Sequence, residues 1–434
     1  MKKAMFISGL MVLVVAIGFA AGGQEGEAGT DEPVRLRATH WQAQQANIDA
    51  FEMAAEEFNR RFDNATAEFE HIAYQAYWQR MPAMAAAGEL PDILQNTTIN
   101  KYALGPSGAL EDLLPWIESD SEMSDKWDQF TEGVKNAVRY EDQVIMLPYG
   151  FASSVLLYNR DMFDEAGIDY PDADYTWEQL LEDAQALTLR DENGVVTQWG
   201  FSTGFGMHVH HAGGLPNWIL QAGGEFINED GTEVNYTSDA AVEATTFIND
   251  LINTHGVMPS PTEAEGLGDV FEAGRAAMIL SGSWKLPQYK AAASFDWDLS
   301  PLPHYRERAQ IGDVGGAAFS LAANAADMEL GWEFLKVVSE YLGRHQAQAG
   351  GEMPTDPDLV DEWIDSPGPP YSRQTFANYT NEYGVPRMIT PAYLQTRREL
   401  DDGLVAIFTG QTELEQGLQE IERNINRILR EANE

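Results

Sequence analysis

The stretch LPYGFASSVLLYNRD, residues 147–161, decides the fold of this 434-residue chain. Val155, Leu156, Leu157 and Tyr158 form a short apolar, β-rich run, the pattern of a strand buried on both faces. Just ahead of it Pro148 and Gly150 hold the chain open, while Tyr149 and Phe151 present flat rings, with a polar handle on Tyr149. These residue types suggest a strand that meets a ligand at one end and runs into a core at the other. Downstream, Met162 to Ile168 reads as a short helix stopped by Gly167, and Thr176 followed three residues later by Gln179 is the capping-box signature of a second helix.

Working outward, Val34, Leu36 and Ala38 alternate with Arg35, Arg37 and Thr39, predicting a first strand that ends at His40-Trp41-Gln42. Ile48, Phe51, Ala55, Phe58 and Phe62 then recur at helical spacing. Asp92-Ile93-Leu94 reads as a strand, 240–253 as a helix and 276–280 as a strand. Such alternation predicts an α/β fold with mostly parallel sheets flanked by helices. In sheets of that kind ligands sit beyond the carboxyl ends of the strands, which points to Trp41, Gln42 and Gln44, to Gln95 and Asn96, and to Tyr149 through Phe151. The stretch 354–370, rich in Pro and Asp, reads as a surface loop. Leu414, Leu418, Ile421, Ile425 and Ile428, spaced four, three, four and three apart, predict a closing amphipathic helix too short to be a coiled coil.

The chain is long enough for two cores. Its formal charge is -42, and -44 once Lys2 and Lys3 are set aside, a surface that repels nucleic acid and anionic lipid. Of the 27 basic residues 19 are Arg and 8 are Lys, which with the acidic excess fits either life in high salt or ordinary periplasmic acidity. There is no Cys, so disulfides, thiol catalysis, Cys-based zinc sites and a lipidated cysteine are excluded. Lys2 and Lys3 precede an apolar run from Ala4 to Ala20 and small residues at 21–23, the pattern of a cleaved secretory signal over 1–23. Residues 24–32 read as a flexible spacer.

The segment 147–161 and its continuation through Trp177, together with Leu90 to Ile93, Trp199 to Phe201, Phe271 to Met278, Ser281 to Trp284 and Gly315 to Ala317, resembles the sugar-binding family of bacterial extracellular solute-binding proteins of ABC importers, which includes maltose-binding protein. The order and spacing of these pieces carry the resemblance over almost the whole mature chain. It implies a two-lobed periplasmic-binding-protein fold of type II with discontinuous lobes joined by a hinge. Crossings are then expected near Tyr149, near 299–303 and near 324–327, giving lobe one as 33–148 with 302–325 and lobe two as 149–301 with 326–434. It further implies a binding protein and not an enzyme, without a cofactor, that captures a small-molecule sugar or oligosaccharide between its lobes. The partners implied are the membrane subunits of an ABC permease, and the chain is expected to be monomeric and periplasmic.

Eleven Trp is a generous supply, and sugars are met by stacked rings plus amides, carboxylates and backbone groups. Trp41, Trp218 and Trp284 each stand beside polar or glycine residues. The resemblance implies that Trp284, after Gly282 and Ser283, stacks on the sugar, and that backbone at Gly315 and Gly316 approaches it. Ala152 and Ser153 stand where maltose-binding protein has an acidic sugar ligand, a departure that weighs against maltose itself. Arg387 is either a surface residue or, if it faces the cleft, one that would favour an anionic ligand such as a sugar acid or glycerol phosphate, so a glycerol-phosphate or polyol ligand is the second reading. Two motifs point elsewhere. Gly200-Phe201-Ser202-Thr203-Gly204 matches the nucleophile elbow of a serine esterase, which needs a strand, a sharp turn and a helix. His208, His210 and His211 offer metal-binding side chains, but i and i+2 on one strand without a carboxylate partner is a weak metal geometry, so no metal is expected.

Overall fold

The computed structural model describes residues 33–42, 45–130, 132–207, 214–228, 231–307, 311–386 and 392–433. The expected signal and spacer, Gln44, the histidines at 208, 210 and 211, and Arg387 lie outside these. Along the chain the strands are β1 (Val34–His40), β2 (Ala65–His71), β3 (Ile93–Thr97), β4 (Arg139–Tyr140), β5 (Gln143–Val144), β6 (Leu147–Ala152) and β7 (Ser154–Asn159). Next come β8 (Leu189–Arg190), β9 (Val196–Met207), β10 (Ala276–Gly282), β11 (Trp297–Ser300), β12 (Ile311–Leu321), β13 (Met353–Pro354) and β14 (Gly384–Pro386). One sheet has the order β13-β6-β12-β3-β1-β2 with β14 on β12, the other β11-β7-β10-β9-β8, and β4 and β5 form a small ribbon.

The apolar run 155–158 lies in β7, and both faces of that strand are covered. Val155 and Leu157 pack into a core with Leu286 and Trp297, whereas Leu156 and Tyr158 pack into another with Phe163 and Trp177. Burial of such side chains contributes about 1.5–3 kcal/mol each, which explains an uninterrupted apolar strand. Local signals fix the two helices after β7. Asn159 accepts the Met162 N–H at 3.1 Å to cap helix Arg160–Ala166, and Gly167 ends that helix at φ 68°. Thr176 Oγ1 accepts the Gln179 N–H at 3.2 Å while Gln179 Oε1 accepts the Thr176 N–H at 2.9 Å, so the capping box forms in full.

The segment ahead of β7 is itself a strand. Pro148 has no N–H, and the register of β6 on β12 shifts beside it, between Ala317 and Ala318. β6 therefore belongs to the first sheet, β7 to the second, and Ser153 alone separates them.

The sheets are mixed, not mostly parallel. β1 is parallel to β2 and β3, and β10 to β9, but β12 runs antiparallel to β3 and β6, β13 to β6, and β7 to β10 and β11. A chain that leaves a sheet for the other lobe re-enters it at the same edge, so the returning strand is reversed.

The third crossing expected from the sequence is displaced. Asp327 caps helix Met328–Ala349, accepting the Leu330 N–H at 3.0 Å. That helix stays on the first sheet: Phe334 meets Phe58 at 4.8 Å and Phe69 at 5.7 Å between ring centroids. Helix Pro357–Ile364 comes next, with Pro357 in its first turn and Trp363 fully buried, so the stretch read as a loop is partly helical and packed. The chain crosses instead at 366–372. There Asp298 of β11 accepts the backbone N–H groups of Tyr371 and Ser372 at 2.7 and 2.9 Å and the Ser372 hydroxyl at 2.8 Å. Residues 326–365 thus pack with the first lobe.

Candidate ligand-binding cleft

The site is built where strands of the first sheet end facing the second lobe. β1, β3 and β6 all point the same way, because β12 lies antiparallel between β3 and β6, and β12 and β13 begin at that same edge. His40, Thr97 and Ala152 therefore finish on one rim, with Gly315 opposite Ala152. From the second lobe β10 ends at Gly282 beside Ser154. The crossing is clamped by a reciprocal pair: Ser153 N–H donates to Ser283 Oγ at 3.1 Å, and Ser283 N–H donates to the Ser153 carbonyl at 3.0 Å.

Trp41 leaves β1 at this rim and meets Tyr74, Tyr77 and Trp78 at 5.7, 5.0 and 5.6 Å between centroids. Tyr74, 40% exposed, is the outermost ring of the group. The wall is held from behind by hydrogen bonds. Trp41 N–H donates to Gln95 Oε1 at 3.1 Å, Gln95 Nε2 donates to Tyr149 Oη at 2.9 Å, and Tyr77 Oη donates to the Gln95 carbonyl at 2.6 Å. Burial drives the Tyr77 and Tyr149 hydroxyls well above the ordinary phenol range, so both stay neutral. Gln42 offers its N–H to His40 Nδ1 at 3.2 Å and its Oε1 to Asn47 at 3.2 Å. His40, sealed under Phe51 and next to His71, has its pKa lowered to about 4, mainly by burial, so it is a neutral acceptor at physiological pH.

On the opposing side the Trp284 ring folds back over Gly282: a Cβ at Gly282 would lie 2.0 Å from Trp284 Cζ3. Trp284 remains partly exposed beside the Ser153–Ser283 clamp. Ser153 Oγ and Trp78 Nε1 are buried polar atoms without a hydrogen-bond partner. Partly exposed rings on both lobes and unsatisfied donors between them can stack on and hydrogen-bond a small polar molecule.

A family model described as bacterial extracellular solute-binding protein matches residues 43–349. The chain belongs to that family. It is 22% identical to the maltodextrin-binding protein MdxE of Bacillus subtilis over 330 residues, covering 75% of this chain and 66% of that protein. The chain spans about two thirds of the length of the curated relatives it matches. Its fold is that of the ABC substrate-binding protein Lmo0181 from Listeria monocytogenes, solved in complex with cycloalternan, at a TM-score of 0.80 and 22% identity over 92% of this chain and 99% of that one. It is likewise that of the maltose/maltodextrin-binding domain MalE from Bdellovibrio bacteriovorus bound to maltotriose, at 0.73 and 19% over 92% and 100%. The type II two-lobed architecture is shared with these neighbours.

Within this solute-binding fold the expected site residues divide. Trp41, Gln42, Gly282 and Trp284 stand at the rim. Asn96 does not: it is fully buried, with Nδ2 on Ser320 Oγ at 3.0 Å and Oδ1 on the Thr97 N–H at 2.8 Å. Tyr149 and Phe151 back the wall, buried in the first core, while Ser153 is the hinge residue itself. Trp218 is a core residue at 2% exposure, its ring 5.1 Å from Trp177 and 5.7 Å from Phe247. Pro216 starts its helix and turns the ring inward, which a reading of polar sequence neighbours misses. Gly315 and Gly316 serve strand packing: Cβ atoms there would lie 3.0 Å from Thr98 Oγ1 and 3.0 Å from the Gly150 carbonyl. Thr98 Oγ1 accepts the Gly316 N–H at 3.0 Å, a contact the sequence did not suggest. Tyr74, Tyr77 and Trp78 were missed too, although an aromatic i, i+3, i+4 triplet after a strand is a visible signal.

The nucleophile elbow is absent. Gly200 to Gly204 lie inside the unbroken strand β9, with Ser202 opposite Ile279 of β10, so no turn exposes the hydroxyl. Ser202 lines a cavity of about 300 Å³ with Thr203, Met258, Phe408 and Asp401, and no described His joins it. A surface hollow of about 740 Å³ in the second lobe is lined by Trp177, Phe247, Tyr305 and several carboxylates. It shares no residue with the cleft rim.

Proposed function

We propose that this chain is the capture component of an ABC importer, binding a carbohydrate between its lobes and presenting the closed form to the membrane subunits of a permease. The observation that carries the reading is the rim itself: Trp41 with Tyr74 lies at the end of β1 in one lobe and Trp284 just past the end of β10 in the other, and a one-residue crossing at Ser153 joins the two sheets at those ends. Relatives of this family named for maltodextrin, lactose and arabinooligosaccharide, and a neighbour solved with cycloalternan, support an oligosaccharide ligand. Mechanistically, a ligand that touches both lobes stabilises the closed arrangement by its differential affinity, and the permease reads that arrangement. No covalent step is needed, and no nucleophile is assembled among the described residues. The amino-terminal pattern supports a periplasmic location for the mature protein, which acts there as a monomer.

A thermal-shift panel of maltodextrins, cyclic glucans, other oligosaccharides, erythritol and glycerol phosphate tests this. At 100 times its dissociation constant a ligand specific to the folded state adds about 2.7 kcal/mol of stability, a readily measured rise in midpoint. A shift with an oligosaccharide supports the reading. A shift with glycerol phosphate alone, or with none of the panel, overturns the carbohydrate assignment.

A further inference from the structure

Glu352 precedes β13 at the cleft edge of the first sheet. β13 runs antiparallel to β6, with Met353 opposite Phe151 and Pro354 opposite Gly150. Glu352 is therefore level with Ala152, where the chain leaves for the second lobe. Its N–H donates to Gln346 Oε1 at 3.1 Å, which fixes its backbone to the end of helix Met328–Ala349. The side chain lies across Gly150: a Cβ there would be 2.8 Å from Glu352 Oε2 and 3.2 Å from its Cβ. Only glycine leaves room for the carboxyl at this point. The adjoining Gly351 abuts the second lobe, since a Cβ on it would lie 3.0 Å from Pro287 Cγ, in the helix just after Trp284. Glu352 thus sits where the first sheet, the crossing and the Trp284 segment converge.

Glu352 as a whole is partly exposed, but one carboxyl oxygen is sealed in. Oε2 is sealed from solvent and lacks a hydrogen-bond partner. Burial alone pushes its pKa up to about 7. No neighbouring polar group bonds Oε2: Tyr149 of β6, the titratable group that faces it, accepts the Gln95 amide, Lys290 reaches the Ala349 carbonyl at 3.5 Å, and Arg373 holds the Ser366 and Pro369 carbonyls at 2.8 and 3.2 Å. An unpaired buried carboxyl costs stability, and such groups cluster at sites where a ligand completes them.

We propose that Glu352 is a ligand-contacting residue of the interlobe site, its carboxyl hydrogen-bonding a hydroxyl of the captured carbohydrate. The inference rests on the carbohydrate reading and adds a residue to it. A hydroxyl accepts from the protonated acid and donates to the carboxylate, so the contact exists on both sides of neutrality. The charge-assisted form is the stronger, so binding releases a proton and affinity rises as the pH climbs through neutrality.

The test is calorimetric titration of the full chain and of Glu352→Gln and Glu352→Leu with the carbohydrate that gives the largest thermal shift, at pH 5.5, 7.0 and 8.5. The expected result is a loss of about tenfold or more for E352L at pH 8.5 with an unlowered melting midpoint. E352Q is expected to keep most of the affinity at pH 5.5 and to show a flat pH profile. E352L binding within twofold of wild type at every pH overturns the inference while leaving the carbohydrate reading intact. Should E352L fail to fold, the isosteric variant decides: an E352Q profile with the wild-type pH slope overturns it. A wild-type protein that binds no carbohydrate removes the reading, and this inference with it.

Discussion

Replacing Gly282 by Ala is expected to displace the Trp284 ring and to weaken ligand binding about as much as removing the ring. The backbone at Gly282 has no freedom to yield. It is paired with Ser154 of β7, and the next residue, Ser283, is clamped to Ser153 by hydrogen bonds of 3.1 and 3.0 Å. The added methyl would lie 2.0 Å from Trp284 Cζ3 and 2.1 Å from Cη2. Carbon atoms need about 3.5 Å, so the ring must retreat by about 1.5 Å or swing to another rotamer. Overpacking costs about 1–3 kcal/mol, and because the ring is partly exposed, about 1 kcal/mol is expected for stability. The cost in binding is larger in proportion. A stacking ring at the centre of a site is worth about 1–3 kcal/mol, or roughly 5- to 150-fold in Kd. Urea unfolding followed by tryptophan emission reads the first quantity and calorimetry the second. G282A and Trp284→Ala should fall in the same affinity range. A G282A protein with wild-type emission and wild-type affinity would refute the placement of this ring at the ligand.

Three further substitutions separate structural from ligand-facing roles. Trp218→Ala empties a fully packed site between Trp177 and Phe247, so unfolding free energy should drop by about 3–5 kcal/mol in denaturant titration, with affinity of the folded fraction unchanged. Asp298→Ala removes the acceptor of the part-buried Tyr371 and Ser372 N–H bonds at the third crossing; a loss of about 1 kcal/mol per bond is expected, read as a lowered melting midpoint. Glu352 has a folded-state pKa raised from 4.5 to about 7, so its ionisation opposes folding. The penalty is absent below pH 4.5, grows as pH rises between the two values and is complete above 7, amounting to at most about 3 kcal/mol. E352L should therefore exceed wild type in melting midpoint at pH 8.5 and lose that advantage at pH 4.5.

What could be read in the sequence was what is local. β7, its capped helices and, at the rim, Trp41 and Trp284 announce themselves by period, cap and neighbouring residues within a few positions. The closing helix Leu414–Asn433 was legible in the same way, with one slip: its stripe ends on buried Leu429, while Ile428 is only partly covered. A strict four-three spacing drifts against 3.6 residues per turn, and the drift had accumulated by the last turn. Less legible was anything that depends on which sheet a segment joins. The turn at Asn324 to Asp327 looks like a boundary, but only the packing of Phe334 on Phe58 shows that the next helix returns to the first lobe. Trp218 and Trp284 have equally polar sequence neighbours; the direction of each ring is set by helix register and by Gly282. Glu352 gave no sign at all, because a carboxyl becomes conspicuous only when its surroundings fail to satisfy it.

The central claim is capture by closure between two lobes, and small-angle scattering of the mature protein with and without a saturating oligosaccharide tests it most directly. A ligand held by Trp41 and Trp284 together is expected to shrink the radius of gyration and sharpen the long-distance edge of the pair distribution. Binding proven by calorimetry with no change in radius would contradict it, placing the ligand on one lobe only.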